Sequence, residues 1–323
     1  MQRVMRAIQA PAFRTVFLLA AFLAAVFAVV KNWEDVSASL ASLPAWQVAA
    51  QVLLGFFYVY LTMVSWRAVL NDVGERVAPP VAARIFFSSQ IAKYLPGGVW
   101  NFVAAAEVGK SYSISRRRSV CALVVSIMIS IVTGMVLALM AILMGPSQVG
   151  ERYWWISIFI PIGLLILCPP ILNRLVNFVL KLIRRDPLES GLTWKGTLQA
   201  SIWAFAAWLV IGFQLWMILV SLGMTASGAT FLLATGGYAL GWTAGFLVFF
   251  VPAGVGVREV ALGAVLSTVI SSGAVVVVVL LARVFTTLAD IGWGLSASFR
   301  MRNDAISTSG ESTDPDGSTV ETE

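Results

Sequence analysis

Stretches of about 20 apolar residues recur along this chain from residue 16 to residue 298, each long enough as a helix to cross the roughly 30 Å hydrocarbon core of a bilayer. Inside hydrocarbon every backbone N–H and C=O must be satisfied within the segment, so runs of this kind fold as helices. With 59% hydrophobic and only 12% charged residues among 323, lipid is the solvent for which the sequence is written. The fold class is therefore an all-α polytopic membrane protein rather than a soluble enzyme. Six full spans are predicted, at 15–32, 46–66, 119–144, 153–174, 197–222 and 273–298.

Two further apolar segments, 81–113 and 229–270, are interrupted near their middles by proline and glycine, at YLPGGVWNF from Tyr94 and VPAGVGVRE from Val251. Proline removes a backbone donor and glycine permits a sharp turn, so each reads as a helical hairpin that re-enters on one side. With the N-terminus in the cytoplasm, sixteen basic residues from Arg3 to Arg302, Arg116, Arg117 and Arg118 among them, fall in cytoplasmic loops, against Lys31 and Arg152 outside. This positive-inside bias sets the orientation, with both termini cytoplasmic. The same loops are cytoplasmic if both arms of each hairpin cross fully. The chain then divides near Gly150 into two halves of opposite orientation, 1–150 and 151–300, each reading span, span, broken segment, span. Pro96-Gly97-Gly98-Val99 in the first half answers Pro252-Ala253-Gly254-Val255 in the second. Inverted repeats with broken helices are the architecture of many secondary transporters.

Several functions are excluded or unsupported. Histidine is absent and both cysteines, Cys121 and Cys168, lie in apolar runs, so zinc sites, haem ligation and Ser-His-Asp triads find no residues, and no cofactor is expected. The net charge of +6 sits in short loop clusters, which read as topology signals rather than as a nucleic-acid surface. Arg3, Arg6 and Arg14 before the run Val16 to Val30 resemble a signal peptide, but no A-x-A site follows and a retained first helix is expected. Residues 301–323 are rich in Ser, Thr, Asp, Glu and Gly and are predicted to form a disordered acidic cytoplasmic tail.

Ionisable residues inside spans are the informative minority, since one left unpaired in hydrocarbon costs about 3 kcal/mol or more. Arg258 and Glu259 follow the break Pro252-Ala253-Gly254-Val255-Gly256, in the first turn of the returning helix, where backbone N–H groups and the helix dipole favour an anion. Arg283 and Asp290, seven residues apart, share one helix face at about 10 Å, too far to pair with each other. Glu107 or Glu259 is the expected partner of Arg283, and Lys93 or Arg258 that of Asp290. A buried structural ion pair is the competing account for each. Lys93, Asn101 and Glu107 bracket the first break and mirror Arg258 and Glu259 across the pseudo-twofold; the alternative is that Lys93 and Glu107 reach the cytoplasm from a shallow hairpin. Arg174, near a span end, snorkels. Gly237, Gly241 and Gly245, four residues apart, read as a packing face. Gly254-Val255-Gly256 is no dinucleotide loop, because Glu259 replaces the third glycine and no strand precedes it.

The stretch FFVPAGVGVREVALGAVL, with Pro252, Gly254, Gly256, Arg258 and Glu259, resembles the Pro-x-Gly-x-Gly-x-Arg-Glu signature of the lysylphosphatidylglycerol synthetase transmembrane, or flippase-like, family. IAKYLPGGVWNF, from Ile91, is similar to that family's earlier Leu-Pro-Gly motif, with Trp100-Asn101 where Gly-Glu is expected. The resemblance covers nearly the whole chain to about residue 300. It implies handling of lipids with large polar headgroups, aminoacylated phospholipid or polyprenyl-linked glycolipid, in a plasma membrane. The chain ends about 25 residues after the last span, so synthesis of the aminoacyl lipid is not expected. The leading expectation is a lipid flippase or transporter. Its rivals are an integral-membrane glycosyl or acyl transferase with Glu259, Glu107 or Asp290 as base, and a non-catalytic accessory subunit partnering an envelope-synthesis enzyme.

Overall fold

The computed structural model describes residues 44–74, 76–95, 99–182, 191–248 and 254–311, together with positions 30, 33, 34 and 37. All regular structure among the described residues is helical: α1 (Ala45–Asp72), α2 (Pro79–Ala92), α3 (Trp100–Ser111), α4 (Arg116–Met144), α5 (Ser147–Tyr153), a 3-10 turn (Trp154–Phe159), α6 (Ile160–Ile166), α7 (Pro169–Leu182), α8 (Trp194–Ser221), α9 (Gly228–Leu247), α10 (Val257–Leu266) and α11 (Ser272–Glu311). Among these, α1, α4, α8 and the Ser272–Phe299 portion of α11 are long and apolar enough to cross a membrane. The protein is a multi-pass membrane protein.

Local chemistry explains the helix starts. Ser115, Thr193 and Ser227 each accept a hydrogen bond from the backbone N–H three residues on, at 3.1–3.2 Å, satisfying a donor the helix leaves open and stabilising each start by about 1 kcal/mol. Pro79 and Pro80 open α2, where a missing N–H costs nothing. The same property alters the predicted span 153–174, which is not one helix here. Pro169 and Pro170 cannot donate to the turn before them, so α6 ends and α7 begins there, and Pro161 likewise lacks a donor where the 3-10 turn gives way to α6. The predicted span 15–32 lies outside the described residues apart from Val30. At the other end α11 runs to Glu311, past residue 300 where the sequence predicts a disordered tail; extending an existing helix adds a hydrogen bond per residue without a new nucleus.

The centre of the bundle is the antiparallel pair α1 and α8. Buried glutamines fix its register: the Gln51 side chain donates to the Gln214 carbonyl at 3.0 Å and the Gln214 side chain returns a bond to the Gln51 carbonyl at 2.6 Å. Ser65 donates to the Ala200 carbonyl at 2.9 Å further along. In lipid there is little hydrophobic gain in bringing helices together, so such bonds and close packing hold them. At its end α1 offers Asp72, whose carboxylate accepts from the N–H and hydroxyl of Thr193, both at 2.7 Å, docking it on the start of α8. Around this pair α4 packs on α9, α2 on α3 and on α11, and α10 lies back along α9. Outward faces carry exposed Leu53, Phe57, Leu198, Ile202 and Leu295, the apolar surface that acyl chains solvate.

Candidate functional site

Between the two broken segments the bundle holds a partly open cavity of about 390 Å³. Its wall takes residues from α1, α2, α3, α4, α8, α9, α10 and α11. Among the described residues four charged side chains line it: Lys93 just past the end of α2, Arg258 in the first turn of α10, and Arg283 and Asp290 on α11.

Two ion pairs account for most of this charge. The Lys93 ammonium lies 2.7 Å from Asp290 Oδ2 and donates to Gln90 Oε1 at 2.8 Å, while the Tyr94 hydroxyl donates to the same Asp290 oxygen at 2.7 Å. The last helix is thereby tied to the first break. Arg283 Nε lies 3.6 Å from Glu259 Oε1, and Glu259 Oε2 accepts the N–H of Gly256 at 2.6 Å. Glu259 thus caps α10 and ties the same last helix to the second break. Both charges that the sequence places on one face of α11 reach a break segment, in opposite senses.

Arg258 is different. Its guanidinium stands 5.9 Å from the Tyr238 ring and 6.0 Å from the Trp242 ring, its buried Nε donates to nothing, and it forms no ion pair among the described residues. Cation–π contact contributes about 0.5–2 kcal/mol. The half-buried guanidinium at the cavity wall can therefore take an anion.

The backbone places Arg258 closely. Gly254 and Gly256 have φ of +66° and +86°, a left-handed turn that side chains disfavour. A Cβ on Gly241 would lie 3.0 Å from the Arg258 carbonyl, and one on Gly245 3.1 Å from Arg258 Cβ, so the small-residue stripe of α9 is the seat of the Arg258 turn.

Residues 15–294 match the lysylphosphatidylglycerol synthase TM region family. The chain belongs to that family. A comparison with curated proteins finds no match. Family membership identifies the helical bundle as this membrane domain, matched almost from end to end.

Of the site residues read from the sequence, Lys93, Asn101, Gly254, Arg258, Arg283 and Asp290 line the cavity of this family member, and Glu259 lines a small adjoining pocket together with Arg258 and Arg283. Gly256 makes the turn behind them. Glu107 is not brought there; it pairs with Arg116 at 2.6 Å on the exposed surface. Pro252, with Pro96 to Gly98 of the first break, lies outside the described residues. Sequence reasoning missed the aromatic and hydroxyl lining: Tyr58, Tyr94, Trp208, Tyr238, Trp242, Ser126 and Ser130. Tyr238 with Trp242 and Ser126 with Ser130 are each four residues apart, a spacing that puts each pair on one helix face, but the apolar runs around them hide which face is inward.

Proposed function

We propose that this domain moves a lipid with an anionic or large polar headgroup between membrane leaflets. The observation that carries the reading is Arg258: a cation without a carboxylate partner among the described residues, on the wall of a cavity between two broken segments. The cavity is large enough for a headgroup and surrounded by spans whose outer faces suit acyl chains. The two halves act as an inverted repeat, with α4 on α9 and α11 on α2 as equivalent contacts, and both broken segments re-enter. Support for re-entry comes from length. At 14, 12 and 10 residues, α2, α3 and α10 reach about 21, 18 and 15 Å, short of the hydrocarbon thickness, while α9, with 20 residues, reaches about 30 Å. The termini face the cytoplasm of a cell whose plasma membrane holds the protein, and an envelope-synthesis enzyme supplies the lipid.

A transferase needs a carboxylate free to take a proton. Asp290 and Glu259 are both engaged and Glu107 stands apart, so the geometry favours transport. The test is reconstitution into liposomes with fluorescent lipids of differing headgroups, reading transfer by quenching of the outer leaflet. Wild-type protein is expected to transfer a subset, and Arg258→Gln to slow transfer roughly tenfold or more at unchanged folding. Equal rates in a well-folded Arg258→Gln protein would remove Arg258 from the path, and no transfer of any lipid would end the transport reading.

A further inference from the structure

The internal pairing of the cavity specifies more than the presence of a headgroup, and any selectivity inferred from it rests on the transport reading. Among the described residues Lys93 pairs with Asp290 and Arg283 with Glu259, which leaves Arg258 as the cavity cation without a carboxylate partner. One phosphodiester matches it. A headgroup that also carries an ammonium would have to bring it among Lys93, Arg258 and Arg283, with no uncommitted carboxylate among the described residues to receive it. The lining also includes neutral polar residues, Asn101, Ser126 and Ser130. The Trp208 indole N–H donates to the Ser130 carbonyl at 3.1 Å, and its ring meets that of Trp242, which also faces Arg258, at 5.5 Å. Hydroxyl and amide groups near aromatic faces suit a ligand rich in hydroxyls and C–H faces. A volume of about 390 Å³ is at the small end for ligand sites, headgroup-sized rather than sized for an oligosaccharide.

The geometry points to a lipid whose headgroup is one phosphodiester joined to a neutral polyol or single sugar, with Arg258 on the phosphate and Asn101, Ser126 and Ser130 on the hydroxyls, and it discriminates against aminoacylated phospholipids. The selection is by charge first and hydroxyls second.

Titration calorimetry of the full-length protein in a polyoxyethylene detergent, which carries neither sugar nor phosphate, tests this with short-chain probes. Dihexanoyl phosphatidylinositol is expected to bind roughly tenfold or more tighter than dihexanoyl lysyl-phosphatidylglycerol and dihexanoyl phosphatidylcholine. Arg258→Gln abolishes the preference and Arg258→Lys, which keeps the charge, retains part of it. Ser126→Ala with Ser130→Ala weakens phosphatidylinositol but leaves dihexanoyl phosphatidylmethanol, a phosphodiester without a polyol, unchanged. Equal or tighter binding of the lysyl lipid overturns the proposal, as does indifference of phosphatidylinositol to the serine variants or failure of every probe to bind. Inositol 1-phosphate separates the sources. If it binds as tightly as the lipid, the headgroup chemistry stands and the lipid-transport reading falls, whereas selective transfer of the lysyl lipid in liposomes sinks this proposal and keeps transport.

Discussion

Lys93 and Asp290 meet at 2.7 Å with the carboxylate only 5% exposed, so the carboxylate has no bulk water to fall back on, while Lys93, 30% exposed, opens onto the cavity. Asp290→Asn keeps a hydrogen-bond acceptor for Tyr94 but leaves the ammonium uncompensated, at a cost of about 3 kcal/mol, the lower end for a buried pair because Lys93 reaches the cavity. Lys93→Met alone strands the carboxylate at similar cost, while Lys93→Met with Asp290→Leu recovers most of the loss. Thermal unfolding of the four proteins in one detergent checks this. A double variant no more stable than either single one would mean that the pair does not hold α11 to the first break. Spacing in the sequence shows Arg283 and Asp290 on one face, yet leaves two candidate partners for each. What decides between them is the docking of α2 and α10 against α11, a tertiary fact with no local signature. Glu107 shows the opposite failure: near a break in sequence, it lies far enough along α3 to meet Arg116 instead.

At the scale of elements, the legible features are those with local chemistry. The runs 46–66, 119–144, 197–222 and 273–298 are all found as helices, because hydropathy over 20 residues is sufficient evidence for a span. The run 153–174 is equally apolar but holds Pro161, Pro169 and Pro170, and the missing donors outweigh hydropathy. The glycine stripe of α9 was readable as a packing face, though not that its partner is the turn carrying Arg258. That contact yields a prediction. A valine at Gly241 would set branched carbons against the Arg258 carbonyl and Leu262 Cβ, 3.0 and 3.1 Å from a bare Cβ, with backbone on one side unable to yield. Overpacking of this kind costs about 1–3 kcal/mol, and here it also pushes α10 off α9. Gly241→Val is expected to lower the unfolding temperature and weaken Arg258-dependent headgroup binding together, while Gly228→Ala, at a position with open space, changes neither. Binding unaltered in a destabilised Gly241→Val protein would show that the stripe holds the bundle without setting Arg258.

For the whole molecule the decisive question is on which side each loop lies, because alternating access requires the two breaks to approach the cavity from opposite faces. In the orientation proposed from the positive-inside bias, Ser113, between α3 and α4, is cytoplasmic and Ser272, at the start of α11, is outside. Single cysteines at these positions, in a protein with Cys121→Ser and Cys168→Ser, are expected to react with a membrane-impermeant maleimide from the cytoplasmic and outer sides respectively; the reverse would invert the topology. The loops alone do not distinguish re-entry from full crossing, since both arms crossing returns each loop to the same side, so probes at the breaks are needed. Val99→Cys, at the first break, is reached from outside if α2 and α3 both cross. It is shielded from outside if the segment re-enters from the cytoplasm. Val255→Cys, at the second break, gives the converse test from the cytoplasmic side. At about 18 Å, α3 falls short of the bilayer's hydrocarbon thickness, and α10, with 10 residues, reaches about 15 Å, so protection of Val99→Cys from outside and of Val255→Cys from inside is the expected result. Labelling of Val99→Cys from the outer face would mean that the first segment crosses, with the cavity then opening outward at its own first break.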